Sequence, residues 1–471
     1  MNKILFLSFL SLLASCNASL LGKPYSNVVP QDTNPSTENP TDTAARDSGV
    51  NLHKNLPCDM EVGTGSGQVA IGPEVIGSSK VICIRAGTYS SADIFSLTGT
   101  TETIVVQNKG MVTFTDRLYL SNLKNVVVSG AGTEGLEQGI MVRDTGYRGT
   151  SLYGKFHTFT LQNIAYKNVP DYVISWDRPR VAYNGTPDSA FYNVKFLRNT
   201  GDAVGAFLML YPERETLTDI LLNIEVAYNT IKNSPNSGSS IVLNASFNSN
   251  VHHNRFENVS MNINEHSGII FLNGDGKVHH NFFSNVLGNS VRSWPLSLKN
   301  GSTPGKLDIY NNITVGTIKY GMIEIQPFAD HISSGSTFTN IRIYHNTAGN
   351  LNHGRALPAG PGLWTAGLVD LYNSIGGTID IQNNVLFNVN NPRDNTYIIN
   401  GQGSWPADKM ILQNNLYFAS SSAAGFINEV TLKPSANAPI VSKGSFLSLV
   451  PTDFFGVPRS HFGVDLGAVS H

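Results

Sequence analysis

The sequence predicts an all-β solenoid, one strand-rich chain wound into stacked coils with asparagine ladders at its turns. Short apolar strands ending in asparagine recur at Val226-Ala-Tyr-Asn229, Val251-His-His-Asn254, Val278-His-His-Asn281, Ile309-Tyr-Asn-Asn312, Ile343-Tyr-His-Asn346, Ile381-Gln-Asn-Asn384 and Leu412-Gln-Asn-Asn415. Their terminal asparagines lie 25 to 38 residues apart, a period that with strand-type segments means a solenoid or a propeller. A propeller blade needs about 40 residues and four strands, whereas these units are mostly shorter, vary in length and repeat one tight asparagine turn. Composition agrees. With 44 Gly and 41% hydrophobic residues among 471, the chain is too apolar for disorder and too rich in turn residues for a helical protein. A compact fold of this length would split into two or three domains unless a repeat lets one core grow along a single axis.

The first residues place Lys3 ahead of an apolar stretch from Ile4 to Ala14, too short to span a bilayer and built like a secretory signal. Its end, Leu13-Ala14-Ser15-Cys16, resembles the bacterial lipobox. That resemblance implies a lipoprotein signal peptide at 1–15 and a lipid anchor on Cys16, where several acyl chains at roughly 0.8 kcal/mol per buried CH₂ hold firmly. Asn17 is not the Asp that commonly retains such proteins at the inner membrane, so the outer membrane of a bacterial envelope is the expected address. Residues 16–52, with Pro24, Pro30, Pro35 and Pro40 among polar residues, read as a disordered tether. Cys58 and Cys83 in an oxidising compartment are expected to form a disulfide, contributing about 3 to 4 kcal/mol on the chain-entropy model.

Each unit holds a second strand, usually entered through glycine: Gly268-Ile-Ile-Phe-Leu, Trp294-Pro-Leu-Ser-Leu, Gly321-Met-Ile-Glu-Ile and Gly367-Leu-Val-Asp-Leu. Earlier segments, Ile104-Val-Val-Gln-Asn108 to Phe159-Thr-Leu-Gln-Asn163, extend the pattern towards Cys83. Residues 53–455 then form one domain and 456–471 a C-terminal tail. At this point the chain resembles the right-handed parallel β-helix class of pectate lyases, alginate lyases, mannuronan epimerases and polygalacturonases. The resemblance implies a single-stranded right-handed parallel β-helix, and Gly456-Val-Pro-Arg459 with Asp465-Leu-Gly-Ala468 resembles the tail closing many such proteins.

The repeated asparagines are expected to sit in αL bends and to bond to one another up the axis. His252 over His279 and His253 over His280 would stack one coil apart. Two such imidazoles can bind zinc, but the columns continue as Tyr, Asn and Gln, so a structural ladder is expected.

Candidate chemistry comes from alternation. If Leu296/Leu298, Ile323/Ile325 and Val369/Leu371 point inward, Ser297, Glu324 and Asp370 share one outward column, and Lys299, Gln326 and Tyr372 the next. Two acids on adjacent coils need a proton, a cation or a basic neighbour. The long connections on either side carry Asp330 and His331, then His353, Arg355 and Trp364, while Arg292 enters the same strand from the preceding unit. Long loops in a compact domain invite a use.

These residues suit a sugar chain. The expected function is a polysaccharide lyase acting outside the cytoplasm on an acidic, uronate-containing glycan. A divalent cation such as calcium held by Glu324 and Asp370, or Arg292 and Arg355 directly, would neutralise the carboxylate while Lys299 or His353 takes the C5 proton. Arg292, Gln326, Tyr372 and Trp364 would bind substrate. The alternatives are a glycoside hydrolase using Glu324 and Asp370 and a noncatalytic glycan-binding or adhesin-like surface lipoprotein. Asp202, Glu213, Arg214 and Trp176-Asp-Arg-Pro-Arg180 form a weaker earlier candidate. A net charge of -2 with 14% charged residues provides no basic surface for nucleic acid, and a monomer is expected.

Overall fold

The computed structural model describes residues 53–213, 216–262, 266–298, 305–326, 336–353, 366–372, 377–390, 397–401 and 406–471. The signal, Cys16 and the tether lie outside the described residues, as do Arg214, Lys299, Asp330, His331, Arg355 and Trp364.

Alternating apolar residues make short strands, and each strand finds its partner one coil away. In one coil the segments 270–274, 276–279 and 282–286 pair in parallel with 291–295, 307–310 and 313–317 of the next. Parallel neighbours need long crossovers, and the twist of the strands makes those crossovers right-handed. The product is a right-handed parallel β-helix. Ile270, Val291, Ile323, Val369 and Ile399 fall in one column and, with equivalents from the other strips, line one continuous core. Like stacks on like there: the buried rings of Phe256 and Phe283 lie 5.0 Å apart and nearly parallel. The Cys58–Cys83 disulfide, with Cα atoms 5.7 Å apart, ties the entering chain to the first long strand, Val81–Tyr89.

The asparagine ladder is continuous. Asn229, Asn254, Asn281, Asn312, Asn346 and Asn384 each donate through Nδ2 to the Oδ1 of the next rung at 2.8–3.0 Å. Each also donates to a backbone carbonyl of the coil before. Asn199 adds a rung at the start, donating to Asn229 at 3.1 Å. One expectation is corrected. The αL residue is the one before each ladder asparagine, including Tyr228, His253, His280, Asn311, His345 and Asn383, so the bend turns the following amide into the interior.

His252 and His279 stack at 4.9 Å, His253 and His280 at 4.7 Å, and Tyr310 continues over His279 at 4.7 Å. Within each rung the paired Nδ1 atoms are 2.8 and 2.7 Å apart and share a hydrogen bond. Three of these rings, His253, His279 and His280, offer nitrogens within 4.8 Å of one another, but the Nδ1 atoms of His279 and His280 already bond to each other, and a zinc ion would need both lone pairs free. Ring stacking and paired nitrogens account for the column.

The last strand is Leu416–Phe418, so the coil ends well before residue 455. The chain from 419 onward contains no strand and packs against the outside of the last coils through Phe426, Leu432, Ile440 and Leu466. Buried Arg459 fastens it, donating to Asn311 Oδ1 at 3.0 Å and to the carbonyls of Gly467 and Ala468. Burial lowers its pKa to about 10.

Candidate functional site

One strip of sheet carries the expected acids. Ile323 and Ile325 enter the core, which turns Glu324 to the outer face, and the same alternation turns Asp370 between Val369 and Leu371. Glu324 and Asp370 are direct register partners on adjacent coils. Outward does not mean wet here. Glu324 is 1% exposed and Asp370 5%.

The partner of Glu324 on the preceding coil is Arg292, not Ser297. The strand Val291–Leu298 contains two apolar alternations, and the one that faces the main core starts at Val291. Leu296 joins a separate cluster with Ile220, Ala245 and Phe247, and Leu296 to Leu298 pair antiparallel with 336–338. Ser297 therefore leaves the column, and its Oγ accepts from the Gly305 amide.

This register builds a buried charge cluster. Arg292 Nε lies 2.9 Å from Glu324 Oε1, a contact ion pair whose angle falls short of an aligned hydrogen bond. Arg292 also donates through Nη1 to the His266 carbonyl at 2.9 Å and through Nη2 to Gln326 Oε1 at 3.0 Å. The other Glu324 oxygen accepts from His266 Nε2 at 2.7 Å and from Asn289 Nδ2 at 2.6 Å. Trp294 Nε1 donates to Gln326 at 2.7 Å, and the Trp294 ring meets Phe271 edge-on. Tyr320 packs on the His266 ring at 4.7 Å, with Lys319 Nζ 4.7 Å from the Tyr320 ring.

Burial alone would raise the pKa of Glu324, but the His266 hydrogen bond and the Arg292 charge hold its carboxyl below the usual range. Tyr320 and Tyr372 move the other way. Burial first, then the Glu324 charge, pushes both phenols up. The site thus keeps an ionised acid beside protonated phenols.

Sequence reasoning placed Glu324, Asp370, Gln326 and Tyr372 on this strip, and the fold brings Arg292 to it. It missed His266, Asn289, Trp294, Lys319 and Tyr320. His266 lies in an aperiodic turn 58 residues from Glu324, and nothing in its neighbourhood marks it. Tyr320 was legible as the residue ahead of the glycine that opens the next strand. His353 donates through Nε2 to the Asn388 carbonyl at 3.0 Å, so that nitrogen is engaged outside the cluster. The earlier candidates form surface pairs, Asp202 with Lys232 and Glu213 with Arg178.

Glu324 does not suit a divalent cation. Both Glu324 oxygens face Arg292, His266 or Asn289, and a guanidinium already supplies the compensating charge; a cation there would have to displace it.

No family model matches the chain, and no curated protein matches it. Among solved structures it is similar to a PL6 family polysaccharide lyase from Pseudopedobacter saltans, at 13% identity and TM-score 0.42 over 85% of this chain and 98% of that one. It is also similar to a PL6 family alginate lyase, at 13% identity and TM-score 0.40 over 85% and 58%. A pectate lyase follows at 14% identity and TM-score 0.29 over 87% and 97%. The fold stands on the strand pairing described above, and likeness at this level assigns no chemistry.

Proposed function

We propose that this is a carbohydrate-active β-helix protein, a polysaccharide lyase for a uronate-containing glycan, with His266 as its base. The observation that carries the reading is the buried Glu324 carboxylate holding a partly exposed imidazole. Glu324 accepts the Nε2 proton of His266, which fixes the tautomer and leaves the Nδ1 lone pair for an incoming proton. The His266 side chain is 40% exposed while that of Glu324 is 2%: one partner orients and the other meets substrate.

Arg292 spends three of its five N–H donors on the cluster, and the others can hold the substrate carboxylate. His266 takes the C5 proton, the C5–H electrons form the C4–C5 double bond, and the C4–O bond breaks. The leaving oxygen takes a proton from Tyr372, a phenol that is protonated at neutral pH. Glu324 in this scheme is a positioning residue. The neighbouring acids on adjacent rungs favour the hydrolase reading, in which the ionised Glu324 would serve as base or nucleophile and Asp370 would have to be the acid. The lipobox-like segment supports a lipid anchor at Cys16, with the outer membrane as the site of action; Cys16→Ser would then release the protein from membranes.

Incubation with alginate, polygalacturonate and other polyuronates tests the chemistry. A lyase gives the ultraviolet absorbance of unsaturated ends, whereas reducing ends without it indicate hydrolysis. Full turnover in both His266→Ala and Glu324→Gln would remove this site from the reaction.

A further inference from the structure

The site-bearing strip does not stop at Phe271. By register it runs back through Val242, Met209, Ser175 and Ser151 to Tyr119, so side chains far apart in sequence share one outer face. At its far end is a second concentration of rings and guanidinium groups. Tyr119 and Tyr153 stack at 6.2 Å. Arg117 lies 5.2 Å from the Tyr119 ring and 6.0 Å from that of Tyr147, and Arg148 lies 4.8 Å over Tyr147. Tyr147 is 49% exposed, yet it is held: Arg148 donates to its hydroxyl at 3.2 Å and is anchored within 3.6 and 3.7 Å of Asp171 and Asp177. An exposed ring fixed by its neighbours has already met the ordering cost of a stacking platform.

We propose that this cluster is a distal glycan-binding station, which makes affinity depend on chain length. The inference rests on the glycan reading of the Glu324 site. Strands 150–153 and Val291–Leu298 are five rungs apart in the register, about 24 Å at about 4.8 Å per rung. A disaccharide reaches one place; an oligosaccharide of several units reaches both, and the second contact is then intramolecular. The path between them offers a ring as well, since Tyr211 directly follows Leu208–Leu210 of the same strip and is 51% exposed. Charge does not explain the station. Arg117 is paired with Asp116 at 3.2 Å and Arg148 with two aspartates, so recognition falls to ring faces stacking on sugar rings, a contact that salt does not screen.

Titration calorimetry with a polyuronate and with its disaccharide, on the full chain carrying His266→Ala to prevent cleavage, tests this. The polymer should bind more tightly than the disaccharide, and Tyr147→Ala should shrink that advantage about two- to tenfold, as a lost stacking contact does. Tyr147→Phe should retain it, and adding Tyr119→Ala to Tyr147→Ala, which removes a second ring of the cluster, should reduce it further. An undiminished advantage in the double variant, with its melting temperature unchanged, would overturn the station and leave the glycan reading of the Glu324 site intact. Failure of the polyuronate to bind even the unmodified chain would instead overturn the glycan reading of the Glu324 site, and the station with it.

Discussion

Two columns run along the same coils and follow opposite rules. In the asparagine ladder every rung repeats one residue, and each amide is satisfied by the rung beside it and by a backbone carbonyl. On the site strip the residue changes at each rung, from Phe271 to Arg292, Glu324 and Asp370. The groups there are satisfied by residues brought from other turns, such as His266 and Asn289. Both columns bury polar atoms. Repetition makes a buried polar column self-sufficient, whereas a heterogeneous one depends on its surroundings and leaves groups able to act.

The largest expected effect is on the strip. His266→Ala should lower turnover by roughly 10²- to 10⁴-fold, the usual contribution of a positioned base, with the denaturation midpoint little changed. A comparable fall in the midpoint would instead make His266 part of the scaffold, and the contrast would fail.

The ladder should show the reverse. Asn312→Ala removes donations to Val278, Tyr310 and Asn346 and an acceptor for Asn281. A loss of about 2 to 4 kcal/mol is expected from the groups left unsatisfied, read as a lower urea midpoint. Residual turnover per folded molecule should remain normal.

A smaller effect separates the two by pH. Burial lowers the pKa of His253 to about 2 and of His280 to about 4, and holds His279 and His345 well below the ordinary value. These rings bind protons more readily in the unfolded chain. Stability should therefore be level above about pH 6.5, the unperturbed histidine value, and fall as the pH drops below it. Glu225, lowered to about 2 chiefly by its hydrogen bond from His252, adds a loss below its ordinary value of 4.5. His280→Asn should make the acid limb of the urea midpoint shallower; an unchanged slope would remove the buried histidines as its cause. The smallest effect belongs to the exposed trio of Glu61, Arg85 and Lys109, where Glu61→Gln should leave the melting temperature unmoved.

The columns also differ in how far they were legible. The ladder could be read directly because its period returns a strand and an asparagine at every turn. The Glu324 and Asp370 pairing was legible too, since Ile-Glu-Ile and Val-Asp-Leu show the same alternation. Arg292 was put out of place by its own strand, where Leu296 and Leu298 look more like core than Val291 and Ser293 do. The buried Ser293 satisfies its hydroxyl on the Leu272 carbonyl, which lets a polar residue take an inward position.

By itself, then, the sequence determined the coil, its ladder and the outward side of two acids, because these follow from local alternation and a short period; the Cys58–Cys83 bridge was legible as the pairing of the two cysteines beyond Cys16. Only the tertiary structure decided that Glu324 is sealed against Arg292 and holds His266. Contacts between aperiodic turns depend on how the coils stack and on which of two alternations wins the core, and neither is encoded within a single repeat.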